Sequence, residues 1–597
     1  MFTETLTRVT QGYINHPPVK MIPSIDFSKK VTVKFKTTSE ETGFQKHLLL
    51  CMVRLIHADP MLLLNSQGKP GHEIQSSTLE LINGLVSLVY QPGMPDVAQE
   101  AMDALSKLHE PDKIELWNPE APINTFWDIS SQVLFSMSQK LIQHQILNYT
   151  DILKWMREIL VCRNLFLLRH REYANVGSNI AICRQAHIKL EVVFFMYLWS
   201  IDMEAVSVAM SCFSLLCEEA DIRGGSDEVT ATYLLPNYHL YQELAQASTV
   251  LTTGRAALQK RVMAMLRKIE ISTVGVCQAW DDTFMNWEGS TKHLSQYPKT
   301  KDESSGVQAE AFHRMGKRRA SHHSSDHELE DQVAEWANMT GFLVALGGVC
   351  LQRKSPGSLR QEMGRGRCGL SVLPHTPGQE QYCPVTQFLG HLLRLLVCPN
   401  EKFGTQIQKH VKELVGHDMS PALYPILFDQ IKIIVEKFFD QSGQVIVNDT
   451  NTQFIEHIIF IMKNVLEPGS SSGGKGEQGP GQEHTENLGQ TSIELMMLAI
   501  VRYVRHLDTT VLALHIKTRL CQLVEAMMKR RDDLAFRYGS LLHFYPFLIY
   551  KLICLLDHYL CQEHIKCILY NTFENIFFST FYNRNLQYLK LHCASRK

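Results

Sequence analysis

The sequence has almost no net charge. Its 59 Lys and Arg nearly cancel 61 Asp and Glu, leaving −2 at pH 7. No global field therefore favours nucleic acid, an anionic membrane or an acidic partner. Long hydrophobic runs are also missing: no uninterrupted apolar stretch reaches the ~18–20 residues that span a bilayer, so no transmembrane segment is expected. The opening MFTETLTRVTQGYINHPPVK lacks the apolar core of a signal peptide. The 15 cysteines are odd in number, scattered and never spaced as CxxC. Such usage fits reduced thiols in a soluble cytoplasmic protein better than a disulfide framework. Catalytic signatures are absent too. GGKGEQG near Gly473 lacks the GxxxxGK(S/T) spacing of a phosphate-cradling loop, no HExxH occurs, and the string GSSSG at 469–473, in the same Gly/Ser-rich stretch, is not a GxSxG nucleophile elbow.

What is present is helical periodicity. Ile493, Met496, Met497, Ile500, Val501 and Val504 share one helix face, as do Phe454, Ile458, Ile461 and Val465. The same spacing predicts helices at Gly43 to His57, Ser77 to Tyr90 (with Leu81 on the apolar face), Pro95 to His109, Thr125 to His144 and Thr150 to Leu168. Others are expected at Arg184 to Ser200, Glu204 to Glu219, Arg255 to Glu270, Asp331 to Cys350, Thr386 to Cys398, Pro421 to Phe439 and Thr510 to Met528. Only Val31 to Thr37 alternates like a strand. The fold class is therefore all-α. Each helix has one apolar face that it cannot bury alone, and stacking in pairs along a continuous core answers that need.

Three segments interrupt the array: 300–328, charged and rich in Ser and His; 352–383, mixing Arg, Gly, Ser and Pro; and 467–490, almost free of apolar side chains. None buries enough surface to offset backbone ordering, so all three read as flexible linkers. They separate helical blocks at 1–299, 329–351, 384–466 and 491–536. The tail, 537–597, is different again, with 13 Phe and Tyr in 61 residues. It reads as an alternative or aberrant end; the rival reading is a lineage-specific terminal helix pair. Within 300–328, His322, His323 and His327 cluster beside Asp326, which raises a metal reading. Polar residues in a loop give no fixed coordination geometry, so a solvated loop is the preferred account.

Five long collinear runs carry a family resemblance. They are HADPMLLLNSQGKPGHEIQSSTLELINGLVSLV (His57 to Val89), MSCFSLLCEEADIR (Met210 to Arg223), TGRAALQKRVMAMLRKIE (Thr253 to Glu270), SPALYPILFDQIKIIVEKFFDQSGQVIVNDTNTQF (Ser420 to Phe454) and IKTRLCQLVEAMMKRRDDLAF (Ile516 to Phe536). In this order they resemble the helical region upstream of the catalytic domain in the neurofibromin family of Ras GTPase-activating proteins. The resemblance spans most of 1–536 and stops before the family's Ras-acting domain would begin. It implies a HEAT/armadillo-like helical solenoid without the catalytic part: a scaffold or regulatory arm whose parent lowers Ras signalling. The partners it implies are a catalytic domain in cis, Ras indirectly, and a second copy through the helical arms. It also implies a cytoplasmic location with peripheral membrane recruitment of the parent.

Catalysis in that family needs an arginine finger at the γ-phosphate, and no catalytic-domain motif aligns here. LFLLRHR (Leu165 to Arg171) superficially resembles an FLR stretch of such domains. Its inserted leucine and helical context read more simply as a helix end, with Arg169 solvated. The chain is thus expected to be neither an enzyme nor a holder of its own cofactor. The resemblance further implies an interface zinc in the full-length parent; Cys521 is the thiol available for it, with co-ligands outside this chain. KRRAS, Lys317 to Ser321, fits a basophilic protein kinase, because kinase carboxylates pair with Arg318 and Arg319 while an extended peptide presents Ser321. Ser324 and Ser325 follow as secondary acceptors. A generic armadillo-type adaptor binding peptide on a concave face is the other reading, although no regular ladder of Asn and Trp supports it.

Overall fold

In the computed structural model of the protein, the described residues are 39–59, 82, 84–89, 94–118, 122–143, 148–175, 177, 180–224, 230–249, 254–297, 325–352, 383–466, 490–508 and 510–534. Among them the chain is all-α, and the β pairing is confined to an isolated antiparallel bridge between Phe439 and Val445. Two compact units divide the chain, Met1–Tyr424 and Pro425–Lys597.

The first unit contains α1 (Ser39–Ala58), α2 (Pro95–Leu108), α3 (Pro111–Ile114), α4 (Pro122–Ile142), α5 (Tyr149–Arg169), α6 (Ala181–Tyr197) and α7 (Met203–Arg223). It continues with α8 (Ala231–Leu234), α9 (Tyr238–Ala247), α10 (Arg255–Leu266), α11 (Val274–Ser295), α12 (Ser325–Cys350), α13 (Pro384–Arg394) and α14 (Gly404–His417). Local sequence explains many of these elements. α2 opens on Pro95, whose fixed φ suits a first helical turn. Asp96 in its first turn and Lys107 in its last oppose the helix dipole, and Val97, Ala101, Leu105 and Leu108 bury one face. At the head of α7, Asp202 Oδ1 accepts from Glu204 N at 2.9 Å; such a cap contributes about 1 kcal/mol.

Most helices pack on a partner one or two elements away, while α6 reaches across to α11. α4 packs on α6, α5 on α7, α6 on α11, α7 on α9, α11 on α12 and α12 on α14. Many helices therefore touch a partner that is not their immediate neighbour in the chain. Indole hydrogen bonds pin several of these contacts. Trp155 Nε1 donates to Met102 O at 2.9 Å, Trp199 Nε1 to Thr283 Oγ1 at 3.1 Å, and Trp280 Nε1 to Leu343 O at 3.0 Å. Trp287 and Trp336 exchange anchors across α11 and α12: Trp287 Nε1 donates to Thr340 Oγ1 at 2.9 Å and Trp336 Nε1 to Thr291 Oγ1 at 2.8 Å. Their rings stack with centroids 6.5 Å apart. Each indole thus buries a large apolar body while its one donor stays satisfied.

The second unit carries α15 (Tyr424–Glu436), α16 (Asp449–Leu466), α17 (Gln490–Arg505) and α18 (Val511–Leu534). α18 packs against both α16 and α17. Phe438 meets Phe454 and Tyr503 with ring centroids 5.6 and 5.8 Å away. The turn after α15 is built by Asp440, whose Oδ1 accepts from Ser442 N at 2.9 Å and Gln444 N at 2.7 Å. Gly443 there has φ +76°, a conformation that favours glycine.

The helical periodicity located most of these elements but missed α9, α11 and α14, and the one-turn helices α3 and α8. α11 is the instructive miss. Its sequence, VGVCQAWDDTFMNWEGSTKHLS, holds Asp, Asn, Thr, Trp and Gly, which are mediocre helix formers. Burial of Trp280, Phe284 and Trp287 against α12 overrides that preference. α12 begins at Ser325, inside the segment 300–328 expected to be a linker. Its stretch Leu329–Cys350 has mean hydropathy 1.3, long and apolar enough to cross a membrane by length and composition, but 83% of that window is buried inside the protein. Trp336, Phe342, Leu343 and Leu346 make it a core helix. The strand-like stretch 31–37, Leu81 and the aromatic tail 537–597 lie outside the described residues.

Candidate functional site

Two charged residues occupy core positions of their helices. On α5, Arg163 follows Ile159 and Leu160 and precedes Phe166 and Leu167, all buried. On α7, Glu219 lies between Leu216 and Ile222. The helix faces force both side chains inward, and they meet there. Arg163, 3% exposed, lies over the rings of Phe126 at 4.9 Å and Trp127 at 5.6 Å. Its Nη1 donates to Ser130 Oγ at 2.5 Å, and Nη2 stands 3.9 Å from Glu219 Oε2. Arg223 Nη1 lies 3.3 Å from Glu219 Oε1, with its guanidinium carbon 5.5 Å from the Trp127 ring. His187 Nδ1 comes within 3.9 Å of that same oxygen.

One carboxylate therefore serves three basic groups. Burial alone would push the Glu219 pKa up, but His187, Arg163 and Arg223 together hold it below the usual range. Burial also lowers the pKa of His187, against the opposing pull of Glu219. Among the described residues neither Arg163 Nε nor Trp127 Nε1 has an acceptor. Gly177 closes over this site: a Cβ there would sit 2.4 Å from the Trp127 ring. The knot joins α4, α5, α6 and α7 through charge, cation–π contact and close packing.

A second buried carboxylate is handled differently. Glu191 on α6 is 7% exposed. It accepts hydrogen bonds from the Tyr241 hydroxyl and, at 2.9 Å, from Thr273 Oγ1. Thr273 is also the N-cap of α11, accepting from Val276 N at 3.1 Å. The carboxylate thus sits at the positive end of a helix. Gly275 leaves room for it, since a Cβ there would fall 2.0 Å from Glu191 Oε2. Burial raises the Glu191 pKa, and the Tyr241 and Thr273 hydrogen bonds only partly oppose it.

The buried thiols near these knots are not activated. Burial pushes Cys212 and Cys217 up to about 12, and raises Cys183 despite the hydrogen bond from Ser131. At neutral pH these remain thiols, not nucleophilic thiolates. An open groove of about 440 Å³ runs along α7 and α9, lined chiefly by polar side chains.

Most of the sites expected from sequence fall elsewhere. Ser321, Ser324, Arg318, Arg319, His322 and His323 lie outside the described residues. Ser325, Asp326 and His327 form the first turn of α12, with side chains outside the description. Cys521 sits partly buried on α18, its thiol pushed up to about 11 by burial. Among the described residues no group of three or more His, Cys, Asp and Glu side chains is placed to hold a metal ion. Arg169 ends α5, half exposed and ion-paired to Asp112, as a solvated helix residue. The sequence reading missed Arg163, Glu219 and Glu191, although each interrupts an apolar helix face, which is a legible signal. No protein-family model matches the chain.

Proposed function

We propose that the chain is a non-catalytic, HEAT/armadillo-like helical arm of a neurofibromin-type Ras GTPase-activating protein. The observation that carries this reading is the set of five collinear runs, from His57 to Phe536, in the order of that family's helical region. Packing of most amphipathic helices in the first unit on partners one or two elements away supports it, because solenoids are built from such neighbour contacts. In this reading the arm controls a catalytic domain that supplies the arginine finger, pairs with a second copy of itself, and is modified by a basophilic kinase at Ser321. An interface zinc would involve Cys521 only together with ligands from the catalytic part.

Single-turnover GTP hydrolysis by Ras tests the proposal. A separately purified neurofibromin-type catalytic domain is assayed with and without the full chain, in the presence of zinc. Slower hydrolysis on adding the chain supports an arm that occludes the Ras site. Unchanged hydrolysis restricts the arm to dimerisation or scaffolding. Acceleration by the chain alone overturns the non-catalytic reading.

A further inference from the structure

Between α15 and α16 the chain doubles back as a miniature hairpin whose outer edge is bare. Phe439 faces Val445 across the isolated antiparallel bridge. On either side of that pair the backbone bonds run inward: Asp440 N donates to Gln444 O at 2.9 Å and Ile446 N to Phe438 O at 2.8 Å. Ile446 O also turns back, accepting from Asn451 Nδ2 at 2.9 Å. Main-chain groups alternate in direction along a strand, so those of Val445 and Val447 point the other way. Among the described residues they have no hydrogen-bond partner.

The side chains around this edge are apolar and open, with Ile446 44% and Val447 47% exposed. The usual protection of an edge strand is missing: residues 441–448, QSGQVIVN, hold neither a charge nor a proline. Both ends are pinned, one by the Asp440 turn and the other by Asn448, whose Oδ1 accepts from Asn451 N at 2.8 Å at the head of α16. Little further ordering is needed for such a strand to pair. Beside its Gly443 end stands Arg502 of α17, which donates from Nη2 to Gly443 O and holds its guanidinium carbon 5.3 Å from the Phe439 ring. Arg502 is exposed and, among the described residues, has no carboxylate partner.

We propose that this edge docks an extended aliphatic segment of a protein partner by strand addition, with a carboxylate of that segment meeting Arg502. The bare amides and carbonyls of Val445 and Val447 set the occupant's backbone, because an extended chain presents donors and acceptors at the matching spacing. Ile446 and Val447 favour aliphatic side chains beside them, which bury apolar surface that water now covers. Arg502 sets the sign of the charge, since its donor fork pairs with a carboxylate. Every part of the site lies within the second unit. The inference is independent of the regulatory-arm reading.

The test is fluorescence anisotropy with the full chain. The probe is a short labelled peptide alternating valine and threonine and ending in glutamate. One control carries N-methyl groups on alternate amides, which block strand pairing and leave the side chains intact; a second replaces the glutamate by glutamine. Val447→Pro deletes one outward N–H and no internal bond, and proline suits an edge strand. Arg502→Gln removes the cation by a separate route. The expected result is binding of the probe, about tenfold weaker in Val447→Pro, lost for the N-methylated peptide, and reduced in Arg502→Gln to the level of the glutamine peptide. Circular dichroism should be unchanged in both variants. Absence of binding to the native chain, undiminished binding by Val447→Pro, or equal affinity for the N-methylated peptide overturns the proposal. So does a dimer in sedimentation that Val447→Pro dissolves, because a second copy then occupies the edge.

Discussion

Glu191 and Glu219 are the same residue type, both buried in the first unit and facing inward from the adjoining helices α6 and α7. Their environments differ in kind. Glu219 is met by two guanidiniums and an imidazole, Glu191 by two hydroxyls and a helix N-terminus. Cations favour the ionised form enough to outweigh burial, so the Glu219 pKa falls; neutral donors do not, so that of Glu191 rises. Charge compensation, not burial alone, decides whether an interior carboxylate keeps its charge. The energetic consequences should separate accordingly.

Removing the charge at Glu219 has the largest expected effect. Glu219→Gln at pH 7 removes the carboxylate facing buried Arg163 in a site where Glu219 is 1% exposed. Breaking one partner of such a buried set costs about 3–5 kcal/mol. Hydrogen exchange should show lost protection in α5 and α7. Retained protection would mean that the aromatic faces of Phe126 and Trp127 suffice to hold the guanidiniums.

Acid provides the next test, because a third buried group sets the background for the comparison. His109 is 0% exposed, its Nδ1 is bonded to Leu105 O at 2.7 Å, and among the described residues its Nε2 has no partner. Burial is the main cause of its pKa dropping from 6.5 to about 4. The folded value lies below the unfolded one, so the stabilisation is present above pH 6.5. It is lost as pH falls towards 4, a change of about 3 kcal/mol. Chemical denaturation between pH 7 and 4 should show that loss in the native chain and a smaller one in His109→Gln. Equal slopes would mean that His109 is protonated in the folded chain.

Glu191 should respond in the opposite sense. Its folded pKa is raised, so its contribution is full below the unfolded value near 4.5 and declines as pH rises through the folded value. Glu191→Gln removes that pH-dependent part. Its cost, about 1–2 kcal/mol at pH 4.5 from disturbed hydrogen bonds to Tyr241 and Thr273, should shrink towards pH 8. A cost that instead grows with pH would place Glu191 in the same class as Glu219.

The comparison also shows which parts of the molecule could be read in advance. Helices with clean apolar faces, such as α2 and α16, follow directly from the spacing of Val97, Ala101 and Leu105 or of Phe454, Ile458 and Ile461. α11 does not, because its helix depends on where Trp280 and Trp287 find partners on α12, a tertiary fact. The two knots fall between these cases. Arg163, Glu191 and Glu219 are visible as charges on apolar faces, but which charges meet depends on helix pairing. Nothing in the spacing says that Glu219 faces two arginines while Glu191 faces Tyr241.

A surface ion pair supplies the weak limit of the comparison. Arg169 and Asp112 are bonded, with side chains 49% and 78% exposed, so water competes for both and salt screens what remains. Their mutual pKa shifts, Asp112 down and Arg169 up, come chiefly from that hydrogen bond and say little about stability at such exposure. Arg169→Ala should therefore leave thermal unfolding unchanged within experimental scatter, at low salt and high salt alike. The contrast with Glu219→Gln is the point, since both substitutions remove one charge from an ion pair. A marked loss on Arg169→Ala, suppressed by salt, would show that exposed charges at the end of α5 hold α3 in place. The difference between the interior knots and the surface would then be one of degree.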